Sequence, residues 1–209
     1  LRVTSVKGNA VLGEVMSNIE SAKNNTKEII AEISEWFTKS KSKDFDDQAL
    51  VQLIDIAVSC FEKIKGIKFN INKNFTDDVD TKIVPGTYVN PIILAMINLL
   101  SNCVIHSGLD VNPNIEISVK TKDNGFVISV LNSLHELKLS EMNSVFFNNL
   151  QISFSSPESL ELMRKEGGTG LAKAFHHLKS ADTGFDLKVS LKNLRFCSEV
   201  TYVDVNIVS

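Results

Sequence analysis

The stretch from Ile92 to Ile105 is the most apolar in the chain and is interrupted only by Asn98, Ser101 and Asn102. A helix over these residues has almost no polar face, so it has to lie in the middle of a folded domain. The run falls short of the ~20 apolar residues that a membrane-spanning helix needs, and no charged-then-apolar leader opens the chain. Asn90-Pro91 ahead of it reads as a cap followed by proline at a helix start. Asn98 and Asn102 stand four apart, so their side chains emerge on one stripe, one turn from each other. A buried amide without partners costs on the order of 1–3 kcal/mol. The two asparagines therefore either bond to neighbouring loop backbone or line a cleft that holds a ligand or its hydrated cation.

The chain is long enough, at 209 residues, for one domain of about 150 residues plus an appendage. Its 22 Lys and Arg against 25 Asp and Glu leave a net charge of −3. With that balance the sequence-independent grip on nucleic acid or an anionic membrane that clustered cations supply is not to be assumed, and neither partner is expected. Cys60, Cys103 and Cys197 are far apart and set in apolar runs, which reads as reduced core thiols rather than a metal site. The expected location is cytoplasmic. Opening on Leu1 rather than Met, the chain is expected to be a piece of something longer.

Leu12, Val15, Ile19, Ala22, Thr26, Ile29, Ile33 and Trp36 alternate in steps of three and four, an a/d seam sustained for more than three heptads. Residues 1–44 are accordingly expected to be a long amphipathic helix and linker of coiled-coil, dimerising type, with the domain over 45–209. Leu50, Leu53, Ile54, Ala57, Cys60, Phe61 and Ile64 mark a second helix that Gly66 stops. Ile67 to Ile71 alternates like a half-buried strand, Asn74 to Asp80 is turn-rich, and Lys82 to Val84 is a short strand ended by Pro85-Gly86. Two strands, Ile115 to Thr121 and Phe126 to Leu131, flank Asn124-Gly125, a strong hairpin signal. A polar stretch from Asn132 to Glu166 is expected to hold a helix or two, with His135 in a loop. A helix from Leu171 to about Ser180 carries His176 and His177 as surface and groove residues, and strands Phe185 to Leu191 and Phe196 to Ile207 end the chain. The tally is α+β: a mixed sheet with helices on one face.

Glu166-Gly167-Gly168-Thr169-Gly170-Leu171 puts three glycines in four positions directly before a helix. Backbone N–H groups there can approach an anion closely, and the helix N-terminus favours negative charge. The turn matches neither the P-loop pattern nor GxGxxG.

Taken in order, an amide-bearing helix, a hairpin, a polar loop, this glycine turn, a helix and a last hairpin resemble the histidine-kinase-like ATPase domain of the GHKL superfamily, the Bergerat fold. The resemblance runs from about Phe45 to the end. NLLSNCVIHS (Asn98 to Ser107) is similar to the kinase N box, EGGTGLAKAFHHLK (Glu166 to Lys179) to the second glycine box, and the segment from Phe45 to Asn72 to the opening helix and strand. The resemblance implies a two-layer α/β sandwich that binds ATP or ADP with Mg²⁺, within a larger bacterial signalling or stress-response protein. It implies Mg²⁺ on Asn102, the ring of His106 against adenine, and phosphates cupped by Gly167, Gly168, Thr169 and Gly170 ahead of Leu171. Asn98 takes the place where chaperone and gyrase members carry a catalytic glutamate. Without that base, phosphoryl transfer to a partner or slow hydrolysis is expected rather than fast ATP hydrolysis. Where the family reads Asp-x-Gly-x-Gly, this chain has Val130-Leu131-Asn132-Ser133-Leu134. Asn132 is left to accept from the adenine amino group through its amide oxygen. Residues 1–105 contain no histidine, so the phosphoacceptor is expected elsewhere, with a homodimer through the N-terminal helix and Ser140 to Lys165 as a mobile lid. The alternative is a degenerate member that binds no nucleotide and serves as an interaction or dimerisation scaffold.

Overall fold

The computed structural model describes residues 15–21, 23, 24, 27, 45–76, 78–109, 113–122, 124–156, 159 and 170–204. The chain falls into two units, Leu1–Ser42 and Lys43–Ser209. In the first, residues 15–21, 23, 24 and 27 are helical, with Val15 and Ile19 exposed. The seam positions Leu12, Ala22, Thr26, Ile29, Ile33 and Trp36 lie outside the described residues.

The second unit is α+β. Strand β1 (Gln48–Ala49) leads into helix α1 (Leu50–Lys65), and β2 (Ile71–Phe75) and β3 (Ile83–Val84) precede α2 (Gly86–His106). The hairpin β4 (Ile115–Lys122) and β5 (Gly125–Asn132) is followed by α3 (Glu136–Glu141), α4 (Ser144–Ser155) and α5 (Gly170–Ala181), and the hairpin β6 (Phe185–Lys192) and β7 (Arg195–Val203) follows. Five strands form one mixed sheet in the order β2-β4-β5-β7-β6, in which only β2 and β4 run parallel. β1 and β3 make a separate antiparallel pair.

Helix α1 buries Leu50, Leu53, Ile54, Ala57, Val58 and Phe61, the i, i+3, i+4, i+7 pattern of a helix with one apolar side. α2 packs between α1 and α5. By length and composition α2 would suit a bilayer, but Ile92, Ile93, Met96, Leu99, Leu100 and Cys103 are all buried in the core. From the sheet, Ile115, Ile117, Val119, Phe126, Ile128, Val130, Val200 and Leu187 complete that core. Cys60, Cys103 and Cys197 are free thiols, and burial pushes the Cys103 thiol up to about 12.

Several boundaries differ from the sequence reading, each for a tertiary reason. The strand expected at Ile67 to Ile71 begins only at Ile71, where it pairs with Ile115. Before it, Phe69 packs on Phe61 with ring centroids 4.8 Å apart, and its N–H donates to Glu62 Oε1 at 3.0 Å. A side chain has taken the donor that a sheet neighbour would use. α2 begins at Gly86 rather than Asn90, with Pro91 inside it, because Asp47 Oδ1 accepts the Gly86 N–H at 3.0 Å across the chain. That carboxylate serves a helix start that its own segment does not cap. In the β4–β5 hairpin Gly125 is a strand residue paired with Lys122 and Val203; a Cβ there would stand 1.9 Å from the Tyr202 carbonyl oxygen. The β6–β7 hairpin turns through Asn193 and Leu194, both at positive φ (51° and 58°), as a two-residue turn of the primed type requires. β7 ends at Val203, and residues 205–207 lie outside the described residues.

Two polar links fix the layers. Gln151 on α4 donates to the Leu187 carbonyl at 2.8 Å and accepts from the Val189 N–H at 3.3 Å, so one side-chain amide stands in for a neighbouring strand along the free edge of β6. Tyr88 on α2 donates to Asp182 Oδ2 at 2.5 Å just beyond α5, within a cluster that includes Phe185 and Tyr202. The Tyr88 hydrogen bond, with that from the Gly184 N–H, holds the Asp182 carboxyl below its ordinary range. A depressed carboxyl contributes stability above its unfolded pKa and loses it as pH falls through the folded one. Tyr88→Phe should therefore cost about 1 kcal/mol at neutral pH. In thermal melts taken down through the carboxylate range near ~4, the variant should also lose less stability than the parent; parallel curves would refute the coupling.

Candidate functional site

Asn98, Asn102 and His106 follow one another at steps of four along the second half of α2. Their surroundings differ. The Asn98 amide donates to its own helix, to the Leu94 carbonyl at 2.8 Å, and Asn98 does not line the cavity at this end of the domain. Asn102 does line it, half-buried. The first residue of α5 lies directly against Asn102: a Cβ on Gly170 would stand 2.3 Å from Asn102 Oδ1 and 2.8 Å from its Cγ. Only a glycine lets α5 begin here while Asn102 keeps its place. Leu171, the next residue, lines the cavity.

Asn132 is the last residue of β5 and is 2% exposed. Its Nδ2 donates to the Ser133 carbonyl at 2.9 Å, which orients the amide. The carbonyl oxygen Oδ1 is buried and has no hydrogen-bond partner among the described residues. Leaving such an acceptor unmade costs about 1–3 kcal/mol, so the fold carries at this point an unmet demand for a donor. Asn132 lines the same cavity as Asn102 and His106.

The cavity has a volume of about 370 Å³, within the range of small-molecule sites. Ile105, Leu134, Met142, Phe146, Leu150 and Phe196 give it apolar walls, and Gly108, Lys138 and Glu141 complete the lining. His106, at the exposed end of α2, is held below its ordinary value by partial desolvation and by the Lys138 ammonium, so its ring is neutral at physiological pH. A neutral ring, apolar walls and one orphaned acceptor are complementary to a flat heteroaromatic group that carries an N–H donor.

Four of the nine residues singled out from sequence, Asn102, His106, Asn132 and Leu171, meet in this cavity, with Gly170 behind Asn102. Gly167, Gly168 and Thr169 lie outside the described residues. Sequence reasoning missed the contributions of α3 and α4. Phe146 and Leu150 carried a signal, two apolar residues four apart in a polar stretch; Lys138 and Glu141 carried none. His135 caps α3, its Nδ1 accepting from the Leu137 N–H at 3.3 Å. His176 Nε2 is 2.6 Å from the buried Ser159 hydroxyl. Much of the span expected as a lid, Ser140 to Lys165, is helix α4, docked through Phe147 on Phe196 and Phe154 on Phe175, each with ring centroids 5.8 Å apart. Residues 157, 158 and 160–169 lie outside the described residues.

Residues 49–204 match the family described as "y4jQ C-terminal putative histidine kinase domain". Among solved structures, a nucleotide-free form of the catalytic domain of histidine kinase ThkA matches with a TM-score of 0.54 at 20% identity, covering 77% of this chain and 97% of that one. Acinetobacter baumannii histidine kinase AdeS matches with a TM-score of 0.51 at 12% identity, over 92% of this chain and 84% of that one. ThkA in complex with the response regulator protein TrrA matches with a TM-score of 0.54 at 20% identity, over 97% of this chain and 52% of that one. At these identities the likeness is one of fold. No curated protein matches the sequence significantly. The family match spans the sheet and its helices from β1 to β7, and the chain therefore belongs to that histidine-kinase C-terminal domain family and has the GHKL histidine-kinase-like fold.

Proposed function

We propose that the domain binds ATP or ADP with Mg²⁺ in the cavity between α2, β5 and α5, and serves phosphoryl transfer to a partner protein rather than fast hydrolysis. The observation that carries this reading is the buried Oδ1 of Asn132, which has no donor among the described residues and which an adenine amino group would satisfy. In the scaffold alternative the cleft asparagines should be satisfied by packed neighbours, and of the three only Asn98 is tied back to its own helix.

The remaining residues fit the same ligand. The neutral ring of His106 would lie against the base. Asn102 offers an uncharged amide oxygen, a hard ligand suited to Mg²⁺, and the turn at Gly167 to Gly170 would present backbone N–H groups to the phosphates. The bound nucleotide would supply the transferable phosphoryl group, its charge offset by the metal. Asn98 is an amide and no general base, so nothing at that position would activate water. An acceptor on another protein suits this arrangement, as ThkA is found with a response regulator protein. The exposed Val15 and Ile19 suit pairing of the N-terminal helix with a second copy.

Isothermal titration with ADP and a non-hydrolysable ATP analogue, with and without Mg²⁺, tests the reading: saturable, Mg²⁺-sensitive binding is expected. Absence of heat and of thermal shift up to millimolar nucleotide would overturn it. Asn132→Leu should abolish binding while leaving the unfolding midpoint unchanged or raising it, because it removes an orphaned acceptor; a lower midpoint would mark Asn132 as a structural residue. Gly170→Ala, by displacing Asn102, should remove the Mg²⁺-dependent part of the affinity and move the midpoint by no more than a few degrees.

A further inference from the structure

Lys138 is the one cationic side chain among the described residues that line the cavity; its ammonium lowers the His106 ring, and no role toward a ligand is assigned to it above. It stands on α3, the short helix that follows the Asn132 strand end. Its stem lies over Gly108, just past the end of α2. Gly108 has a φ of +70°, and a Cβ there would stand 3.0 Å from Lys138 Cγ and 3.3 Å from His135 Cβ. The left-handed backbone favours glycine at this position, and the lysine stem passes close beside it.

The ammonium is uncommitted in a way its stem is not. Its ion-pair partner is Glu141, at 3.8 Å, too long for a hydrogen bond. Both side chains are about half exposed or more, at 49% and 67%, and an exposed pair of this kind holds its members weakly. A neutral acceptor on a base or a sugar gives little in exchange for a carboxylate. A phosphate oxygen offers a short, charge-assisted bond in its place.

We propose that Lys138 reads the charge of the ligand: its ammonium leaves Glu141 and takes an oxygen of the nucleotide's phosphate chain. This rests on the nucleotide reading above and adds to it a second recognition element on α3, outside the glycine turn and the asparagine helix. Glu141 is then a competitor, holding the cation until a phosphate arrives.

The test is titration of the full chain with the ATP analogue and, separately, with adenosine. Lys138→Met keeps the apolar stem and removes the charge; it should weaken binding of the analogue about tenfold, change adenosine binding far less, and flatten the salt dependence of nucleotide binding. Lys138→Arg should restore most of the loss. Glu141→Gln should act in the opposite direction and tighten the analogue. Equal losses for analogue and adenosine in Lys138→Met, or no loss for either, overturn the proposal while the nucleotide reading stands. A parent protein that binds neither ligand overturns both.

Discussion

A helix with apolar residues on nearly every side persists in water only if other elements wrap it, and α2 is wrapped by α1, by α5 and by the inner face of the sheet. That demand sets the architecture. Both flanking helices pack on α2, and residues of the sheet join the same core. Polar residues on such a helix are tolerated only where the wrapping opens or where they are satisfied in place. Asn98 takes the second course by bonding back to Leu94. Asn102 and His106 take the first, at the end of the helix where the cavity begins.

Helix α5 is the second fixed element, and it is held at three points. Its first residue abuts Asn102 with no space for a side chain. Its middle is pinned by Phe175 against Phe154, and just beyond its last turn Asp182 accepts from Tyr88. Because Tyr88 and Asn102 belong to the same helix, α2 positions both ends of α5. The site geometry is therefore a consequence of core packing rather than of the loops around it. On the outer face of the sheet the order is ionic: Arg195 meets Glu116 at 2.8 Å and Lys192 meets Glu199 at 2.6 Å, above strands whose inner residues are apolar.

Much of this was legible in the sequence, because periodicity and spacing carry information about faces. The α1 stripe, the hairpins, the buried α2 and the helix after the glycines follow from local pattern, as does Asn102 on its stripe; His106 and Asn132 follow only from the family resemblance. What was not legible depended on groups distant in sequence. The first turn of α2 relies on Asp47, 39 residues upstream; the start of β2 relies on Glu62 and Phe61; Gly125 answers to the carbonyl of Tyr202 rather than to its own turn. Lys138 is an ordinary exposed lysine until Gly108 and the cavity are placed beside it. The length of β7 was overestimated because its apolar alternation continues past Val203, the last strand residue.

The sequence resemblance puts Asn132 where a carboxylate is expected, and its amide is oriented by the Ser133 carbonyl so that, among the described residues, only an acceptor is left unused. A carboxylate at such a buried point carries a proton-dependent identity: in acid it becomes a donor and repels the group it formerly received. An amide has no such second state. Under the proposed nucleotide function it also adds no negative charge beside a polyanion. An acceptor of this kind at the floor of the cavity is insensitive to acidity, whereas the His106 ring on its rim, held below its ordinary value by partial desolvation and by the Lys138 ammonium, is not.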